Sequence, residues 1–595
     1  MGRIRLPGHL RFLLCLLVFA WGALTQANGA SLLVRGGTLI DGTGGAPIAN
    51  ARILITDGRI VKVWSGDGSN SRVPALPAGT QTIEAGGKFI IPGLIDSHVH
   101  YNWYMGELFL SHGVTTVFDL GGGPVWSIAI QKGLNSGQIA GPRYYFHGVF
   151  GGGGTGQTDT LAGTYTAKMR FAANVNIPAD APKAVAALKG KADIITLNED
   201  WKGEYFKAVA SAAHASGLSI ISHSFNALDT SDWGVDGIEH MTGVGIAAAR
   251  SPEARKAVAG MGFCTHQYAP ILAQSLPCIA AGHKNSKLYQ WMDTSYFDEM
   301  IQHLVKNHTF LNPTLDFEWK GIIDRTPQFE LEDQKLFFNP ELQYVPEDER
   351  MVTLGQYHWA DSRGASDREE FLTGYKKVQE FLRKFVAAGG KLYSGTDSAS
   401  ANTPGLALHH EMQLFVDAGI SPMQALLSST KWAAEMARMD KNLGTVEAGK
   451  YGDLVILAAD PVKDIHNTQT IEKVIKGGVV QTIGYHAGYE VPFHLTGPLT
   501  KHLYSQRPVV SNLEPALIVQ GNEVWVRVTG ANFSPNSVVL FNGMPVETKF
   551  AGDNELDGRL TAKQTSHPGN YLIGVETPKP GGGVTEGLGF IVDYR

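Results

Sequence analysis

Between residues 89 and 398 short apolar runs recur, each closed by Gly, Pro, Asp or Ser and set apart by longer stretches. The runs are FIIPGLIDSHVH (89–100), VTTVFDLG (114–121), PRYYFHGVF (142–150), ADIITLNE (192–199), SIISHSF (219–225), DGIEHM (236–241), TFLNPTL (309–315) and KLYSGTDS (391–398). Their length and β-branched content predict strands. EYFKAVASAAHASG and EEFLTGYKKVQEFLRKFVAAGG, which fall between them, have the spacing of amphipathic helices. Eight alternating units predict an α/β chain built on a (β/α)8 TIM barrel. The longest insertions follow the sixth strand (242–308) and the seventh (316–390), at the barrel's C-terminal mouth.

The pattern changes on either side. Residues 32–62 alternate β-branched runs with Gly-Gly, Asp-Gly and Gly-Thr-Gly turns, which predicts a small antiparallel sheet. A similar texture returns at 444–481, so the two flanks are expected to form one small β-sandwich around the barrel. Past residue 485 short alternating strands with regular turns predict a separate β-sandwich. The expected organisation is 1–30 signal peptide, 31–90 first part of the flanking sandwich, 91–440 barrel, 441–485 second part, 486–507 linker and 508–595 terminal sandwich.

The signal peptide rests on Arg3, Arg5 and Arg11 ahead of FLLCLLVFAWGAL and then TQANGA. These are the charged, apolar and small-residue regions of a secretory leader. The apolar run is short for a bilayer span, so export to the periplasm or the exterior is expected, with no membrane span in the mature chain. The formal net charge of −6 and the lack of a basic run argue against nucleic acid as a partner. Of the cysteines, Cys264 and Cys278 remain beyond the leader. A disulfide and a pair of free thiols both fit them. An oligomer is compatible with the sequence.

The candidate chemistry sits at the ends of the predicted strands. Alternate residues of a strand share a face, so His98 and His100 point the same way and can chelate one cation. His223 ends the fifth strand, His240 the sixth and Asp397 the eighth. Burying five such groups uncompensated would cost several kcal/mol each. A metal centre compensates them together, and nitrogen ligands suit Zn2+, although another divalent metal would fit. His147, ending the third strand, and Tyr101, just past the HxH pair, are candidates for touching substrate. His409 and His410 are expected as a helix-surface pair.

PGLIDSHVH, GVTTVFDLG, IEHM, SGTDS and GTVEAGKYGDLVIL together resemble the metal-dependent amidohydrolase superfamily, over about residues 32–485. The nearest group is that of the imidazolonepropionases and Xaa-Pro dipeptidases. The resemblance implies that His98, His100, His223 and Asp397 surround the reactive metal. It implies that His240 binds a second metal or hydrogen-bonds the substrate oxygen. Many dinuclear members carry a bridging lysine late in strand four, where this chain has Thr196 in ADIITLNED. One ion is therefore favoured and two remain open, with Glu199 and Asp200 as substitute ligands. The terminal sandwich resembles immunoglobulin-like IPT/TIG domains through VTGANFSPNSVVLFNG, PGNYLIGVETP and FIVDYR.

The expected function is that of an exported hydrolase cutting a C–N bond of a small-molecule or peptide-like amide. Metal-activated water attacks, and Asp397 shuttles the proton. A mononuclear deaminase or cyclic-amide hydrolase is the alternative. A binding protein that has lost catalysis is a third.

Overall fold

The computed structural model describes residues 31–66, 75–121, 124–152, 173–188, 190–197, 201–259, 286–361, 363–399, 401–489, 508–578, 583–585 and 587–593. The expected signal peptide, Glu199, Asp200, Cys264, Cys278 and nearly all of the expected linker lie outside these residues. The described residues divide into two compact units, one through Tyr489 and one formed by the C-terminal residues.

In the first unit, seven strands pair in parallel in chain order: Leu94–Val99, Val114–Asp119, Arg143–Gly152, Ile194–Leu197, Ser219–His223, Gly237–Glu239 and Phe310–Asn312. The segment 391–398 fills the gap between the last and the first. It bridges Leu311 through Leu392 and Val99 through Ser398, both in parallel. Tyr393 N donates to Leu311 O at 3.0 Å, and Asp397 N donates to His98 O at 2.8 Å. The eight predicted staves thus form a TIM-barrel-like ring.

Strands buried on both faces explain the near-continuous apolar runs. All six residues of Leu94–Val99 and all six of Val114–Asp119 are buried. Ile95, Phe118, Ile194, Ile221 and Tyr393 from five staves pack with Ala433, Ala434 and Met436 of the helix Lys431–Met436. The insertion after the seventh strand is helical. Its longest helix, Ala365–Ala387, buries Phe371, Tyr375, Val378, Phe381, Leu382 and Phe385, a stripe at the i, i+3, i+4 spacing.

The strands within residues 31–65 pair antiparallel, as expected. Hydrogen bonding joins both flanks into one eight-stranded sheet. The sheet is also mixed. Ser31–Leu39 pairs antiparallel with Ile48–Thr56 but parallel with Gln81–Glu84 and Phe89–Pro92. The C-terminal flank joins through Leu454–Leu457, which pairs antiparallel with Phe89–Pro92. Chain order alone does not reveal that a strand reached after a loop runs parallel to the first. The inward side chains of both flanks share one core, including Val34, Ile53, Ile90, Leu454 and Ile475.

The C-terminal unit holds two sheets. One orders Val509–Glu514, Val524–Ala531, Glu555–Leu560 and Glu547–Gly552. The other orders Leu517–Val519, Leu588–Asp593, Gly569–Thr577, Val538–Phe541 and Met544–Pro545, with Gly583–Val584 beside Gly569–Thr577. Val526, Val528 and Leu556 of the first sheet share a core with Val539, Ile573 and Phe590 of the second.

Candidate metal centre

Five polar side chains converge at the C-terminal ends of the staves. His98 is the fifth residue of the first strand and His100 follows its end; His223 is the last residue of the fifth. His240 follows the sixth strand, and Asp397 lies in the closing segment. Ligand atoms of His98, His223 and His240 lie within 4.8 Å of one another, as do those of His98, His100 and Asp397. His98 belongs to both groups. Its ring centroid is 5.5 Å from that of His100, 5.6 Å from that of His223 and 5.3 Å from that of His240.

Backbone conformation aims two of these groups. His240 (φ 58°) and Asp397 (φ 57°) both occupy the left-handed region, as does Thr314 (φ 48°) beside them. Non-glycine residues there cost of order 1–3 kcal/mol each and persist where surrounding contacts over-determine them. Two glycines make room. A Cβ on Gly121 would meet His100 Nδ1 at 2.3 Å, and one on Gly395 would meet His98 Cβ and Asn312 Nδ2 at 2.5 Å.

Each of two histidines is held from behind. His98 Nδ1 donates to Glu239 Oε2 at 2.7 Å. His240 Nδ1 lies 2.6 Å from Thr314 Oγ1, whose hydroxyl donates to Pro313 O at 2.8 Å. The threonine oxygen therefore accepts from His240 Nδ1, which turns Nε2 toward Asp397 Oδ2, 3.8 Å away. Asp96 braces the same region from within the ring. It is fully buried and accepts from Thr396 Oγ1 at 2.7 Å and Thr396 N at 3.1 Å. Burial pushes its carboxyl up to about 7 against those bonds.

Electrostatics mark the centre. Burial favours neutral His98, but the carboxylates of Glu239 and Asp397 outweigh it and push the ring up to about 9. Burial opposes ionisation of Asp397, yet His98, His100 and His240 outweigh it and hold the carboxyl far below the usual range. Asp397 Oδ1 lies 2.8 Å from His100 Nε2 and 3.5 Å from His98 Nε2. Despite this closeness, neither Asp397 Oδ1 nor His98 Nε2 makes a well-directed hydrogen bond, and both are buried. Buried polar atoms rarely go unpaired. Imidazole nitrogens and carboxylate oxygens converging this way fit a divalent cation.

His147, His409 and His410 belong to neither ligand group. His147 is buried, and its Nδ1 lies 2.9 Å from Thr196 Oγ1. Tyr101 is not brought into the cluster. Its ring is 7% exposed, stacks on Phe109 at 6.1 Å and meets Tyr144 edge-on at 5.3 Å. Period-two alternation puts Tyr101 on the face opposite to that of His98 and His100. His409 and His410 are not a surface pair. They are 0% and 1% exposed, because the helix Leu406–Asp417 is covered along most of its length.

Glu239, Asn312, Tyr393, Asp96 and Thr314 support the centre without having been singled out from sequence. A usable signal was an acidic residue inside the short apolar strand Gly237–Glu239, directly before His240.

Comparison with known proteins gives partial matches. The model of the amidohydrolase family matches residues 342–481, a stretch that contains Asp397. The chain is 35% identical over 95 residues to an adenine deaminase of Paracoccus denitrificans, covering 15% of this chain and 15% of that protein. It is 43% identical over 70 residues to a dihydroorotase of a Geobacter species, covering 12% of this chain and 15% of that protein. The chain thus aligns with only about a seventh of the length of these curated relatives. Among solved structures it resembles the Aspergillus niger ochratoxinase, with a TM-score of 0.50 and 16% identity over 78% of this chain and 99% of that one. That likeness concerns the fold.

Proposed function

We propose that the chain is an exported, metal-dependent amidohydrolase that hydrolyses a C–N bond of an amide or peptide-like small molecule. The observation that carries this reading is the convergence of two three-residue groups on His98, with two buried ligand atoms that make no well-directed hydrogen bond. Similarity to the amidohydrolase family and to relatives acting on C–N bonds supports it.

His98, His100, His223 and Asp397 would hold one divalent ion, with His240 completing the site or facing substrate. When bound, a zinc-like cation supplies a hydroxide nucleophile near neutral pH and a Lewis acid. Asp397, charged and within reach of three imidazoles, accepts the proton of the attacking water and passes it to the leaving nitrogen. His240, once protonated on Nε2, donates to the oxygen on which negative charge develops. His147, whose Nδ1 lies 2.9 Å from Thr196 Oγ1, is the candidate for touching substrate.

One ion rather than two is supported by Thr196. A hydroxyl engaged with His147 offers no amine for a bridging carbamate. The same residue supports the second reading, a mononuclear deaminase or cyclic-amide hydrolase. Export rests on the N-terminal pattern, and the terminal sandwich fits an immunoglobulin-like module that docks or spaces. No helix among the described residues is long and apolar enough to cross a membrane.

The test is a substrate panel on the full, zinc-loaded chain. N-acyl amino acids and Xaa-Pro dipeptides releasing a new amine support the first reading. Ammonia from a purine or pyrimidine ring supports the second. Inertness toward the whole panel rejects both.

A further inference from the structure

Glu239 closes the strand Gly237–Glu239 and is 1% exposed. Its carboxylate accepts from three side chains on three other staves. Oε2 accepts from His98 Nδ1 at 2.7 Å and from Asn312 Nδ2 at 2.6 Å. Oε1 accepts from the Tyr393 hydroxyl at 2.8 Å. Asn312 in turn accepts from Gly395 N through Oδ1 at 3.1 Å, so its amide orientation is fixed. The carboxylate is therefore anchored from the seventh strand and the closing segment, independently of His98.

A carboxylate only accepts, so its bond to His98 requires the proton on Nδ1. In the neutral ring that a cation requires, Nε2 is then the lone-pair nitrogen. It is also the atom that is buried without a hydrogen-bond partner, 3.5 Å from Asp397 Oδ1. We propose that Glu239 is a positioning residue that fixes the tautomer and aim of His98 and thereby sets the affinity of the centre for its cation. The inference rests on the metal reading above. A carboxylate behind a ligating imidazole orients the ring and makes the facing nitrogen a better donor, and its loss typically weakens metal binding about 10–100-fold.

The rival account makes Glu239 only a buried brace between staves. Tyr393 separates the two, because Tyr393→Phe removes one strut of the brace without touching His98. The experiment strips the full wild-type chain, Glu239→Gln and Tyr393→Phe of metal. It then measures zinc affinity by competition with a chelator, and melting temperature with and without zinc. The expected result is a zinc dissociation constant raised about 10–100-fold in Glu239→Gln, with a smaller zinc-induced rise in melting temperature. Tyr393→Phe keeps the wild-type affinity.

Equal affinity of Glu239→Gln and wild type overturns the inference, and so does equal weakening in Tyr393→Phe. Should Glu239→Gln fail to fold, Glu239→Asp keeps the charge but shortens the reach to His98. Weakened zinc binding there supports the inference and wild-type binding overturns it. A wild-type chain that binds no zinc overturns the metal reading and this inference together. Unchanged binding in the variants of a zinc-binding wild type overturns this inference alone.

Discussion

Thr196 Oγ1 lies 2.9 Å from His147 Nδ1, joining the fourth stave to the third. Both residues are buried. The pair commits Thr196 to a hydrogen bond between staves. Thr196→Val should lower stability by about 1–3 kcal/mol, the cost of leaving a buried polar group less well paired. The bound ion count should stay at one. Denaturant unfolding and a metal assay of the variant check this, and a change in ion count would show that Thr196 serves the metal.

Asp397 is the only carboxylate in the two candidate ligand groups, and three imidazoles hold it charged. Asp397→Asn keeps an oxygen donor but cannot take a proton. The variant should retain metal and lose about 10²–10⁴-fold in turnover. Steady-state kinetics on metal-assayed protein decide it, and near-normal turnover would remove Asp397 from the proton path.

How much of this was legible in sequence follows from the range of each contact. The staves are local patterns of six or so residues and were readable, except that the run 89–100 splits into Phe89–Pro92, which belongs to the flanking sheet, and the first stave Leu94–Val99. His98 and His100 were readable because period two needs no tertiary knowledge. Glu239 was not, because its partner lies 141 residues away and only the ring brings the first and sixth staves together. Alternation also misleads there. Glu239 and His240 are adjacent and should face opposite sides. The left-handed backbone at His240 lets the sixth stave send both to the centre. His410 was misread for a related reason. Helix spacing marks an apolar face, but a buried polar residue becomes visible only with its partners.

Those partners of His410 carry a prediction about pH. Its Nε2 lies 3.0 Å from Glu332 Oε2, and Nδ1 lies 3.7 Å from Asp316 Oδ1. Burial opposes the charge on the ring, but the two carboxylates outweigh it and raise its pKa from 6.5 to about 9. Burial likewise opposes charge on Glu332, and His410 outweighs it, lowering its pKa from 4.5 to about 2. The histidine's contribution is complete below pH 6.5 and lost as pH rises through 9. The carboxylate's is complete above pH 4.5 and lost as pH falls through 2. Stability should therefore decline from pH 6.5 to 9, and His410→Gln should flatten that decline. Urea melts at pH 6 and 9 test this, and equal slopes in both proteins would contradict it.

Gly395 allows the closing segment to lie against the first stave. A Cβ there would sit 2.7 Å from His98 N and 2.5 Å from His98 Cβ. Gly395→Ala should cost about 1–3 kcal/mol through overpacking and displace His98. Melting temperature and metal content should fall together. An unchanged metal content would mean that the centre tolerates movement of this stave.

The most direct test of the account is the number of divalent ions bound by the full chain after stripping and reloading with zinc, alongside His98→Ala, which removes the residue shared by both ligand groups. The account predicts about one ion per wild-type chain and a large loss of tight binding in the variant. A wild-type chain that takes up no ion, or a His98→Ala variant that binds zinc as tightly as wild type, would contradict it.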